Sequence, residues 1–222
     1  AKILGTYGIS LDSVAEIIQD HDHHLDHLDR TLEQAEARLN HDIEWKRRCL
    51  AALREQREII SHGIGTVYFA ELDEMAYLEY YGAEKLRANK KLRRQVDQWL
   101  QGMPIVMPAP FCPRELVGQD CYCPAGFMVR QADMDFLGLR EEENVRVLPA
   151  RLCVCTTVAQ REEVGIMAKE AIEPLLIFIQ QTGLCVAGDA LFRCISFESN
   201  ENSSGKIYYH VMLPVEVGKT PK

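Results

Sequence analysis

Positive charge is what this 222-residue sequence has little of. Lys and Arg number 25 against 33 Asp and Glu, a formal net charge of −8, so binding to nucleic acid cannot be argued from net charge. No apolar run approaches the roughly 18 residues of a membrane span. The N-terminus carries none of the basic, apolar and small-residue regions of a secretory signal. The expectation is a cytoplasmic protein with no membrane partner. A nucleophile elbow, a P-loop, a dinucleotide fingerprint and a zinc-protease motif are all absent. Neither an enzyme nor a bound cofactor is expected. Residues 21–60 hold neither Gly nor Pro, the two strongest breakers of a helix.

Eight cysteines are present, often inside strand-like runs. Without a secretory signal they read as reduced thiols rather than a disulfide framework. A hydrophobic content of 47% is ordinary for a globular protein, and the length suits one large domain or two small ones.

The Gly- and Pro-free stretch is patterned as one long helix, about 60 Å at 1.5 Å per residue. Leu25, Leu28, Leu32, Ala35 and Leu39 recur in steps of three and four. After Asp42 the pattern resumes with a four-residue skip at Ile43, Lys46, Leu50, Leu53 and Ile60. So narrow a seam suits a partner helix better than a broad core; the helix over 21–61 is expected to form a homodimeric coiled coil. "SHGIGT" (61–66) supplies the stop. Ahead of it, "LGTYGISLDSVAEII" (4–18) reads as a turn and a helix start. Ser10 is the N-cap, and Leu11, Val14, Ile17 and Ile18 fall at helical spacing.

Beyond residue 62 the character changes. Strand-like runs lie at 66–72, 75–81, 121–129, 145–158, 190–197 and 206–217, with helices expected near 84–101 and 162–182. The class is α+β. "LDEMAYLEYY" (72–81) and "LPARLCVCTT" (148–157) align 76 residues apart. Each precedes a helix that closes at a glycine, Gly102 or Gly183, and each glycine is followed at the same distance by Phe111 or Phe192. The fold expected over 64–218 is thus a duplicated strand–helix, antiparallel-sheet, ligand-binding domain, with repeats at about 66–130 and 145–217 and a cavity at their interface.

This order of segments resembles the MerR-type transcription regulators. The opening is similar to the "LGFSLEEIKEIL" segment late in their winged-helix DNA-binding domain. The long helix matches their dimerisation helix. The ending "IYYHVMLPVE" (207–216) resembles the aromatic last strand of their gyrase-inhibitory-protein-like (GyrI-like) effector domain. The resemblance implies that residues 1–20 are the C-terminal remnant of the DNA-binding domain, the rest of which is missing. It implies a multidrug-sensing, ligand-responsive regulator whose partners are a second copy of the chain, a small-molecule effector, promoter DNA through the missing part, and RNA polymerase indirectly. Its ligand pocket maps onto Tyr81, Glu84 and Phe111 of the first half and Val164, Met167, Ala168, Phe192, Cys194 and Tyr208 of the second.

Aromatic rings around such a cavity favour flat or cationic ligands, with ordinary core packing the alternative for each ring. Strand alternation sends one of Tyr80 and Tyr81, and one of Tyr208 and Tyr209, inward. The sequence departs from cation-binding relatives at "LFRCISF" (191–197). Where those carry a buried carboxylate, Arg193 and Cys194 stand here, and Arg193 facing the cavity would repel a cation. Met103, Met107, Met128 and Met167 are candidates for adaptable lining.

Two other chemistries are open. His23 and His27, like Asp22 and Asp26, are spaced four apart and suit two metal ligands, and the Cys-x-Cys pairs at 121–123 and 153–155 point both thiols to one strand face. No third ligand on a distant element completes a set, so no metal is expected. A small-molecule hydrolase would pair Glu79 or Glu84 with Tyr81 or Tyr208; a dimerisation helix is of no use to it.

Overall fold

The computed structural model describes residues 2–19, 24–82, 85–86, 90–161, 166–167, 169–200 and 203–218; at 2–3, 24, 81–82, 85–86, 121, 161, 166–167, 199–200 and 203–204 the backbone alone is described. The chain forms two compact units, Ala1–Ala51 and Ala52–Lys222.

In the first unit, α1 (Lys2–Thr6) and α2 (Leu11–Gln19) precede the long helix α3 (His24–His62). Ser10 caps α2 as its side chain predicts, with Oγ accepting from the Ser13 N–H at 3.1 Å. Of the apolar face of α2, Val14 and Ile17 are buried while Leu11 and Ile18 are exposed. Val14 meets Ile9 and Ala35. Arg38 donates to the carbonyls of Tyr7 and Gly8 at 3.1 and 2.8 Å, fixing the turn before α2. Along α3 the seam residues Leu25, Leu32, Leu39, Ile43, Leu50, Leu53 and Ile60 are all exposed in the single chain. The helix stops at Gly63, whose φ of +79° is the left-handed conformation that a C-terminal cap requires.

The second unit holds the last turns of α3 and two sheets. Its elements are β1 (Tyr68–Leu72), β2 (Met75–Gly82), β3 (Lys85–Leu86), α4 (Lys90–Gln101), β4 (Met107–Pro108), β5 (Phe111–Cys112), β6 (Cys121–Tyr122), β7 (Ala125–Arg130), β8 (Val145–Leu148), β9 (Arg151–Arg161), β10 (Ile166–Met167), α5 (Lys169–Thr182), β11 (Leu184–Val186), β12 (Ala190–Asn200) and β13 (Ser203–Val217). The larger sheet runs β1-β9-β13-β12-β5, with β11 also on β13. The smaller runs β3-β2-β7-β4, with β8 also on β2. β10 and β6 form a separate pair. The fold is therefore α+β, a long helix followed by antiparallel sheets. The run expected at 145–158 is two strands in different sheets, because Pro149 has no N–H for a ladder. The helices begin at Lys90 and Lys169, later than their patterns predict.

Strand pairing has an internal twofold symmetry. β1 lies antiparallel on β9, with Leu72 opposite Arg151 and Ala70 opposite Cys153. Moved on by 76 residues, the same pairs reappear between β8 and β2, as Leu148 opposite Met75 and Arg146 opposite Tyr77. The leading strand of each half thus completes the sheet of the other. β5 and β12 meet where the halves join, Phe111 opposite Leu191.

Two apolar layers hold this unit. Ile172, Leu175 and Ile179 of α5 lie one face along the helix and pack on Val154, Phe192, Val211 and Leu213. Each is buried, worth about 2 kcal/mol apiece in area removed from water. The opposite strand faces bring Met75, Tyr77, Phe111 and Met128 against Cys153, Cys155, Leu191 and Met212. Alternation makes the division: Phe192 and Val211 point toward α5, Arg193 and His210 away from it.

Candidate functional site

Among the described residues of the second unit, a pair of cavities lies on the face away from α5. The first, of about 190 Å³, is roofed by the last turns of α3. Glu55, Ile59 and His62 fall at i, i+4 and i+7, so they share one helix face. Ile59 is buried and anchors that face, while Gln56 donates to the Ile195 carbonyl at 3.0 Å, beside the bulge between Cys194 and Ser196.

Glu55 is the centre of the charge arrangement. One carboxylate oxygen accepts from the Arg193 guanidinium of β12; the other accepts from Arg130 of β7 at 2.6 Å. Arg130 also donates to Asp73 at 2.9 Å. Arg193 has a side chain only 4% exposed, against 35% for Glu55. A buried guanidinium needs such a partner. One carboxylate on α3 therefore joins a strand from each half of the sheet domain.

Beside it, Tyr68 Oη and His210 Nε2 share a hydrogen bond of 2.9 Å, and His62 stacks on Tyr68 with ring centroids 3.8 Å apart. Burial, then the Arg193 and His62 charges, lower the His210 pKa to about 4, so this ring is neutral near pH 7. Burial and then the neighbouring Cys155 raise the Tyr68 pKa to about 12. Burial likewise lifts the Cys153 thiol to about 12 and Cys155 further; both are inert thiols rather than nucleophiles. Met75, Met107, Met128 and Met212 complete the apolar lining. The remaining carboxylates at the wall are Glu58, Glu71 and Asp73. With His210 neutral, four carboxylates (Glu55, Glu58, Glu71 and Asp73) stand against two guanidiniums (Arg130 and Arg193), so acid exceeds base. Arg193 does face the cavity, but its charge does not set the cavity's sign.

The second cavity, of about 260 Å³, is lined by β5, β8, the start of β9, the loop after β11 and β12. Leu72, Phe111, Leu148, Leu191 and Pro214 give it an apolar floor, and Arg114, Arg146 and Arg151 stand around it with Asp189. The Arg146 guanidinium lies over the Phe111 ring at 4.3 Å, within cation–π range.

Of the nine residues that the resemblance places in a pocket, Glu84, Val164 and Ala168 lie outside the described residues. Tyr81 pairs with Leu86 and Ala125, and Met167 with Cys121, through backbone that brings no side-chain information. Phe111 lines the second cavity. Phe192 lies in the opposite layer, fully buried under α5 and edge-on to Tyr209 at 6.2 Å. Cys194 is partly buried, opposite Tyr209, its thiol pushed up by burial. Tyr208 shares the strand face of His210 but stands beyond the cavity, donating to Glu198 at 3.0 Å among exposed residues. Phe111 and Phe192 are thus not brought together. Met107 and Met128 do line the first cavity, while Met103 is exposed. The His23 and Asp22 candidates lie outside the described residues, and among those described no group of three His, Cys, Asp or Glu could hold a metal. Glu55, Arg130 and His210 carry no local motif. Their one sequence signal is Arg193 itself, a guanidinium inside an apolar strand, which requires a carboxylate somewhere.

No protein-family model matches the chain, and no curated protein matches it. Among solved structures, it is similar to EcmrR in a cryo-EM structure of the EcmrR–DNA complex in EcmrR-RPo, with 14% identity over 97% of this chain and 81% of that one and a TM-score of 0.36. The crystal structure of the EcmrR C-terminal domain has 14% identity over 68% of this chain and 97% of that one, TM-score 0.41. A hydrolase from Listeria innocua has 12% identity over 73% and 97%, TM-score 0.45. With TM-scores below 0.5, none of these likenesses carries a functional argument, which rests on the chain's own geometry.

Proposed function

We propose that this chain is the dimerising and effector-binding part of a MerR-like, ligand-responsive transcription regulator, working as a homodimer on promoter DNA and, through it, with RNA polymerase. The observation that carries the reading is the Glu55 bridge: the last turns of the seam-bearing helix are bonded to Arg130 and Arg193, one from each half of the sheet domain, at the wall of a cavity. A ligand in that cavity changes what Glu55 and Ile59 rest on. It acts as an effector if it binds one arrangement of α3 more tightly than another. The exposed heptad seam supports the dimer, since seven Leu and Ile side chains in one row on one helix call for an apolar partner.

The cavity chemistry suits a small organic cation with an aromatic body. Glu58 and Glu71 supply negative charge beyond what Arg130 and Arg193 match, Tyr68 an aromatic ring, and four thioethers an adaptable wall. The probe is 2-naphthylmethylammonium. It should raise the melting temperature of the chain as its concentration rises, and Glu58→Gln and Tyr68→Ala should each weaken that stabilisation. Equal stabilisation by the neutral 2-naphthamide, or stabilisation unchanged in both variants, contradicts this reading. In sedimentation the chain should be a dimer that Leu50→Glu with Leu53→Glu converts to a monomer; a monomeric parent chain at micromolar concentration contradicts the dimer.

A further inference from the structure

The two cavities occupy corresponding places in the two halves. Ala70, Leu72, Asp73 and Met75 line the first, and the residues 76 positions on, Arg146, Leu148, Pro149 and Arg151, line the second. The strand registers make these true counterparts, since Leu72 opposite Arg151 maps onto Leu148 opposite Met75. In the first cavity the guanidiniums meet a carboxylate brought by α3. The second has three guanidiniums and, among its described lining residues, one carboxylate and no α-helix.

Asp189 is already engaged. It accepts from the Arg114 backbone N–H at 3.0 Å, and its other oxygen stands 3.9 Å from Arg146. Arg151 spends one N–H on the Ala187 carbonyl at 2.6 Å, leaving four of the five donors on its fork. Gly188 allows that approach, because a Cβ there would stand 2.8 Å from Arg151 Nη1. The Arg146 guanidinium carbon stands 4.3 Å from the Phe111 ring centroid, within cation–π range.

We propose that the second cavity is a binding site for a small organic anion, a carboxylate or phosphate on a flat apolar body. The anionic group takes the forks of Arg146 and Arg151, in the role that Glu55 fills in the first cavity. The body lies on the apolar floor beside the arginines, at Leu72, Leu148 and Pro214. Bidentate guanidinium pairing recognises the planar carboxylate, and the apolar floor distinguishes an organic anion from an inorganic one. The site is distinct from the effector cavity proposed above, although Leu72 lines both, and the proposal does not depend on that reading.

The test is calorimetric titration of the chain with 2-naphthoate, 2-naphthamide, 2-naphthylmethylammonium and inorganic phosphate. One equivalent of 2-naphthoate should bind, with an affinity that falls as salt rises. Arg146→Gln and Arg151→Gln should each weaken it at least tenfold, while Arg140→Gln, which removes an exposed guanidinium elsewhere, should not. The amide and inorganic phosphate should each bind at least tenfold more weakly. Equal binding of amide and carboxylate, or unchanged binding in both cavity variants, overturns the proposal. Phosphate binding as tightly as 2-naphthoate overturns the apolar half of it. A change in sedimentation caused by Arg146→Gln or Arg151→Gln would overturn it differently, by assigning the arginines to a second copy of the chain.

Discussion

The cavity under α3 and the cavity beside β8 are built on the same register positions in two halves of one sheet system, yet they have opposite electrostatic characters. At the first, Ala70 and Met75 leave room for a helix that brings Glu55. At the second, Arg146 and Arg151 take those positions and no described α-helix lines it. Repeating a backbone therefore does not repeat a site. The strands set where a hollow forms, while side-chain size and charge at four positions decide whether protein or solvent fills it.

Removing the central carboxylate of each cavity separates them most sharply. Glu55→Ala leaves the buried Arg193 without its partner and should cost about 3 kcal/mol, the low end for a broken buried pair because Glu55 is itself a third exposed. Urea unfolding reads this directly, and a cost below about 1 kcal/mol would place the bridge among surface pairs.

Acid should break the first cavity in much the same measure. His210 binds its proton only near pH 4 in the folded chain but near 6.5 unfolded. The unfolded state holds more protons between those values, so this contribution to stability is full above about pH 6.5, falls as pH drops from there to about 4, and levels off below it. The whole loss is about 3 kcal/mol, at 1.36 kcal/mol per unit. Unfolding from pH 7 to pH 4 should show a shallower fall in His210→Gln than in the parent chain; parallel curves would contradict the assignment.

Asp189→Ala, the matching change in the second cavity, should cost only about 1 kcal/mol, mostly the lost acceptor for the Arg114 N–H. A loss as large as that of Glu55→Ala would erase the contrast between the two sites. The smallest effect is expected for Glu55→Met with Arg193→Met together. Replacing both partners by apolar chains of similar length leaves no orphaned charge and should return stability to within about 1 kcal/mol of the parent. A loss equal to the single variant's would mean that Arg193 was never paired in solution.

Much of the architecture was readable in advance, because it rests on period and punctuation. Heptad spacing and the absence of Gly and Pro mark α3, and Gly63 ends it. The 76-residue step between "LDEMAYLEYY" and "LPARLCVCTT" is the step that relates the β1–β9 and β8–β2 registers. Pro149, which has no N–H for a ladder, divides β8 from β9. The sites were much less legible. Alternation along "LFRCISF" places Arg193 and Phe192 on opposite faces, but nothing local tells which face holds a cavity. Arg193 finds Glu55 138 residues away in the chain, a pairing that no short pattern encodes. Phe111 shares its offset from a helix-closing glycine with Phe192, yet lies in the other apolar layer, because β5 contributes only two residues to the sheet and turns its phenyl toward Tyr77.

The contrast between the cavities is tested most directly by titrating the chain with 2-naphthylmethylammonium and 2-naphthoate, each alone and then each in the presence of saturating amounts of the other. Two sites of opposite sign predict that both bind, one equivalent each, with neither displacing the other. Mutual displacement, or binding of one probe alone, would contradict the account.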